Sequence, residues 1–221
     1  MNKKGFLVLV VLAVMATGNA FAQMPEFKLS AGAGGLFVSQ FGGGVATITR
    51  STGATYTEYK FPYAGGGGFA FFDATFAELS LGFFTASGRI NGRTNRKIAD
   101  TSYTGLDISL LGKYPFTLSE HFTLFPLLGI TYRHIISTKI DYFTFQNNGA
   151  GDYSALWFKL GAGADYAFTE HIFARLGVVY GIRLKNKMEK LWKTTNFTTA
   201  YTAETRLGHG LDVKLAVGYR F

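Results

Sequence analysis

The sequence predicts an all-β fold, an eight-stranded antiparallel up-and-down barrel that crosses a membrane, with short turns at one end and long loops at the other. Three observations predict it: side chains that alternate along segments of ten or more residues, connections that alternate between short and long, and a composition poor in charge. Only 16% of the 221 residues are charged, against about 25% in an ordinary soluble domain, and another 16% are aromatic.

Residues 1–22 read as a cleavable secretory signal. Lys3 and Lys4 form its basic start, Gly5 to Ala16 its apolar stretch, and Ala20-Phe21-Ala22 its small-x-small cleavage site. The apolar run of 12 residues is shorter than the roughly 20 that cross a bilayer as a helix. Cleavage leaves 23–221 as one barrel domain and, by removing Lys3 and Lys4, lowers the formal charge from +8 to +6. With no Cys, the chain has no disulfide scaffold, thiolate metal site, catalytic Cys or lipid-modified Cys.

The alternation is cleanest at the C-terminus, where Leu211, Val213, Leu215, Val217, Tyr219 and Phe221 share a face opposite Asp212, Lys214 and Arg220. Segments 172–184, 156–168 and 106–116 repeat it, with Arg175 and Arg183, Lys159 and Asp165, and Asp107 and Lys113 on their polar faces. Four less regular strands are expected at 27–41, 59–72, 77–87 and 122–135, making eight, an even number as this architecture requires. Short turns fall near 73–76, 117–121 and 169–171, and long polar links near 42–58, 88–102, 137–153 and 185–206, the asymmetry of short periplasmic turns and long extracellular loops. Aromatics cluster at strand ends, as interfacial girdles do. Near the turns these include Phe71, Phe72, Phe173 and Tyr219, and near the loops Phe83, Tyr103, Tyr132 and Trp157.

With these features assembled, the chain resembles the small eight-stranded outer-membrane barrels of the OmpA transmembrane-domain, OmpX and OmpW type, over all of 23–221. The ending Leu215-x-Val217-x-Tyr219-x-Phe221 is similar to the C-terminal aromatic signal read by the barrel-assembly machinery. The resemblance implies residence in the bacterial outer membrane, lipids and the assembly machinery as partners, and Tyr219 and Phe221 as the assembly signal.

The period places Glu78, Asp107, Lys113, Arg133, Lys159, Asp165, Arg175, Arg183, Asp212, Lys214 and Arg220 in the lumen, because charge facing lipid is costly. Two readings follow. Either these side chains pair and fill an interior that eight strands leave barely wide enough for side chains, or Gly161, Gly163, Gly177, Gly181 and Gly218 help open a narrow basic conduit. The filled interior is preferred, with Asp165 and Arg175 as the pair expected across the turn at 169–171. The function read from it is a structural or surface-interaction barrel. The alternative is a channel for small, including hydrophobic, solutes.

Pro62 and Pro126 each delete a ladder donor and mark sites for a lateral gap. Such gaps resemble those through which OmpW-type barrels release hydrophobic solutes and acyl chains enter PagP-type enzymes. The glycine runs 32–35 and 65–68 precede no helix and suit close packing of the wall. His134, Ser137 and Asp141 raise the less favoured reading of a lipid-modifying enzyme. His and Ser three apart, however, lie on opposite faces of a strand, so no catalytic residues, metal or cofactor are assigned. Basic loops, with Arg89, Arg93, Arg96 and Lys97 against Asp100, suit a surface polyanion or host ligand. Residues 88–102 lack the interleaved aromatics that single-stranded nucleic acid requires.

Overall fold

The computed structural model describes residues 26–41, 43–50, 53–60, 62–91, 97–140, 154–186, 195–196, 199–205 and 208–221. Residues 1–22, the expected leader, lie outside them, as do Arg93, Arg96 and Asp141. In chain order the strands are β1 (Leu29–Phe41), β2 (Gly43–Arg50), β3 (Gly53–Lys60), β4 (Tyr63–Ala74), β5 (Ala77–Asn91), β6 (Lys97–Lys113) and β7 (Phe116–Thr117). There follow β8 (Phe122–Ile140), β9 (Ala155–Ala167), β10 (Ile172–Asn186), β11 (Thr195–Asn196), β12 (Thr199–Thr205) and β13 (His209–Arg220).

Eight of these close the wall in the order β1-β4-β5-β6-β8-β9-β10-β13, every pair antiparallel. The ring shuts where β13 returns to β1, from Ser30↔Arg220 to Phe41↔His209. Closure leaves the wall no edge strand. Alternate residues then separate sharply. Leu81, Ile108, Leu128, Leu160, Leu176 and Leu215 are exposed on the outside, while Glu78, Asp107, Lys159 and Asp212 are buried inside. An exterior of this kind suits hydrocarbon, and an interior of this kind suits paired charge.

Three expectations need correction. The strand placed at 59–72 is divided, because Pro62 stands between β3 and β4 and lacks the N–H that a ladder needs. The polar links are partly strand: β2 and β3 form a hairpin from Gly43↔Lys60 to Arg50↔Gly53, and β12 pairs β2. Val45, Thr47, Ile48, Thr49, Thr55 and Thr57 supply the β-branched side chains that favour this extension. Finally, Phe71, Phe173, Tyr103 and Trp157 are not girdle residues, since all four are buried. Their places in the period, rather than their closeness to a strand end, decide their face. Phe72, Phe83, Tyr132 and Tyr219 do stand exposed on the outside.

The β4–β5 turn carries Thr75 at φ 45°. Its hydroxyl accepts from Lys28 N at 2.6 Å and lies 3.0 Å from Lys28 O, so the left-handed residue ties the start of β1 to the turn.

Candidate functional site: a two-tier ion-pair network inside the barrel

Inside the wall, ten ionised side chains among the described residues assemble into two tiers. The tier nearer the short turns holds Asp73, Glu78 and Asp165 against Lys113, Arg175 and Lys214. The middle tier holds Asp107 and Asp212 against Arg133 and Lys159. Each tier is neutral, which is the condition for burying this much charge.

Both tiers are built alike. Arg175 faces Asp165 across the β9–β10 ladder and donates from Nε and Nη2 at 2.7 and 2.8 Å. Its remaining reach crosses the barrel, with Nη1 to Glu78 on β5 at 2.9 Å and Nη2 to Asp73 on β4 at 2.6 Å. Lys113 also donates to Asp73, and Lys214 to Glu78 at 3.3 Å and Ser80 at 2.8 Å. In the middle tier Arg133 faces Asp107 across the β6–β8 ladder and donates from Nε and Nη2 at 2.8 and 2.6 Å. It then reaches Asp212 on β13 at 3.2 Å and the Tyr63 hydroxyl at 3.3 Å, while Lys159 donates to the same Asp212. Backbone ladders join only neighbouring strands; these side chains join strands two to four places apart in the ring.

Aromatic rings close the space between the charges. The Arg175 guanidinium lies 4.5 Å from the centroid of Phe71, 5.1 Å from Phe125 and 5.2 Å from Phe173. Arg133 lies 5.0 Å from Phe84 and 5.2 Å from Trp157. Contacts of this kind strengthen when desolvated. The interior glycines make room for the rings. A Cβ on Gly163 would meet Phe125, one on Gly218 would meet Phe173, and one on Gly32 would meet Phe71.

Arg183 stands nearer the loop end, opposite Trp157 and packed against Gly208. Arg220 lies over Phe173 at the turn end, 5.2 Å from the ring centroid. Reading the residues one by one missed Asp73. It lies on the same face as the buried Phe71, opposite Glu78 across the turn, and that parity was the available signal.

The other candidates lie elsewhere. Pro126 faces Ala162 in an unbroken β8–β9 ladder. On its other flank the register already breaks between Lys113↔Leu127 and Phe116↔Leu124. Pro62 sits just before β4. His134 is not joined to Ser137, which faces Thr104; instead Ser154 Oγ lies 3.2 Å from His134 Nδ1. Tyr219 stacks on His171 at 5.3 Å, edge-on to Phe221.

The model of the outer membrane protein β-barrel domain family matches residues 6–221. No curated protein matches the chain. Among solved structures, the outer membrane protein OprG from Pseudomonas aeruginosa is 14% identical, with 86% of this chain and 97% of that one covered at a TM-score of 0.46. Ail, the attachment invasion locus protein of Yersinia pestis, in complex with the heparin analogue sucrose octasulfate, is 14% identical, with 85% and 99% covered at 0.38. The outer membrane protease OmpT from Escherichia coli is 9% identical, with 90% and 99% covered at 0.42. A closed eight-stranded wall, an apolar exterior and the match over nearly the whole length agree: this chain belongs to the outer membrane protein β-barrel domain family and resides in the bacterial outer membrane.

Proposed function

We propose that this protein is a structural or surface-interaction barrel whose lumen is closed to ions, whose contacts are made by its loops, and which is not an enzyme. One observation carries the reading: Arg175 spans from β10 to β5, bonded to three carboxylates and flanked by three phenylalanines. A second neutral tier lies above it. An eight-stranded barrel has an interior that side chains of this size fill. Residues 1–22 serve as the export signal, and Tyr219 and Phe221 serve the assembly machinery.

The test is planar-bilayer recording of the refolded barrel in molar potassium chloride. The expected record has no stepwise openings at moderate voltage. Steady ohmic steps would overturn the closed lumen and establish the conduit. Mass spectrometry of the protein from membranes should find Gln23 at its N-terminus; a chain beginning at Met1 would overturn the signal.

A further inference from the structure

The outward face of β5, β6 and β8 is graded. Rows of register partners run from the turn end as Leu79, Leu110 and Ile130, then Leu81, Ile108 and Tyr132, then Phe83, Leu106 and His134. Beyond these come Thr85, Thr104 and Ser137, then Ser87, Ser102 and Lys139, and last Arg89 with Asp100. Successive rows are about 7 Å apart along a strand. Hydrocarbon-loving side chains therefore give way to hydroxyls and then to charge within two rows, a depth that matches the boundary between acyl chains and headgroups.

A groove of about 490 Å³ opens in the polar rows, lined by Ser87, Arg89, Asp100, Thr101, Ser102 and Lys139. Two features give it an anion-binding character. Arg89 is held only loosely, 3.7 Å from Asp100 with 72% of its side chain exposed, and Lys139 makes no ion pair among the described residues. The second feature is a bulge. The β6–β8 register shifts between Thr104↔Ser137 and Gly105↔Ile135, which inserts Ile136 and reverses the facing of everything beyond it. Arg133 and Ile135 point inward, so an unbroken strand would send Lys139 into the lumen; the bulge turns it outward, beside Ser102. Bulges re-aim side chains in this way near sites.

We propose that this groove seats a phosphate of an outer-leaflet glycolipid headgroup. Arg89 and Lys139 meet the phosphate oxygens, the Ser87 and Ser102 hydroxyls donate to them, and the acyl chains descend over Phe83, Leu81 and Ile108. Arg supplies a fork and Lys a point charge, the usual pair for phosphate. The occupant is a lipid rather than a soluble anion because the polar rows continue directly into the apolar ones on the same outward face. The proposal does not depend on whether the lumen conducts.

The test places the mature barrel in nanodiscs of phosphatidylcholine doped with bis-phosphorylated lipid A, or with the same lipid A stripped of phosphate. Native mass spectrometry reads the lipid retained. The phosphorylated form should be retained in clear excess. Lys139→Gln and Arg89→Gln should each cut that excess about fivefold, the usual effect of one surface cation on an anionic headgroup. Asp100→Asn should raise it, and Lys139→Arg should preserve it. Heat-modifiable migration on gels verifies that each variant is folded. Equal retention of both lipids, or unchanged retention in both cation variants, would overturn the proposal. So would displacement of lipid A by millimolar inorganic phosphate, which would assign the groove to a soluble anion.

Discussion

Arg175 and Asp165 stand directly opposite each other on β10 and β9, joined by two hydrogen bonds of 2.7 and 2.8 Å. Arg133 and Asp107 repeat the relation on β8 and β6. In each case the neighbouring strand supplies the first carboxylate, and the guanidinium's remaining donors reach a strand across the lumen. The pairing orients the arginine, and the arginine then braces the barrel.

Removing the central cation should be severe. Arg175→Met leaves Asp73, Glu78 and Asp165 short of charge in a buried space, and breaking such a network costs about 3–5 kcal/mol. Arg175→Lys should recover only part of this, since an ammonium cannot fork onto Asp165. Urea unfolding of the refolded barrel in detergent reads the loss, and a wild-type midpoint for Arg175→Met would contradict it.

The interior glycines should divide by what faces them. Gly163→Ala would drive a methyl into the ring of Phe125, which is 2% exposed and held between Arg175 and Lys113. Overpacking of that kind costs about 1–3 kcal/mol. At Gly177 the nearest atom to a new methyl is Lys214 Cβ at 3.7 Å, so Gly177→Ala should leave the urea midpoint unchanged or slightly raised. Equal losses at both positions would show that the aromatic filling is not what selects glycine.

Charge on the outer face should be penalised by depth. Leu160 lies mid-strand on β9, 51% exposed and flanked in register by Leu128 and Tyr180. Leu160→Lys should cost about 2–4 kcal/mol, and Ile172→Lys at the turn end about 0–1 kcal/mol. Refolding equilibria in lipid vesicles measure both, and similar costs at the two sites would misplace the bilayer midplane.

Two histidines fasten neighbouring hairpins. His121 Nδ1 lies 3.1 Å from Ala167 O, and His171 Nδ1 lies 3.0 Å from Arg220 O. A carbonyl oxygen only accepts, so both rings carry a proton on Nδ1. Nitrogen-15 spectra at neutral pH should therefore report the Nδ1–H tautomer for both; an Nε2–H tautomer in either would remove the fastening. His171→Ala should cost about 0.5–1.5 kcal/mol.

The sequence by itself determined the number of wall strands, the short and long connections, and the face taken by most side chains. All three follow from local physics: a strand alternates with period two, and lipid tolerates little charge. Tertiary structure decided which charges meet. Arg175 and Glu78 are 97 residues apart, and their contact depends on how the ring closes and staggers, which no local pattern encodes. Parity, which is also local, turns Phe71, Phe173, Tyr103 and Trp157 inward. Tertiary structure decided how three of them find room, Phe71 beside Gly32, Phe173 beside Gly218 and Trp157 beside Gly181. It also decided the outward turn of Lys139, since one inserted residue in β8 reverses every face beyond it.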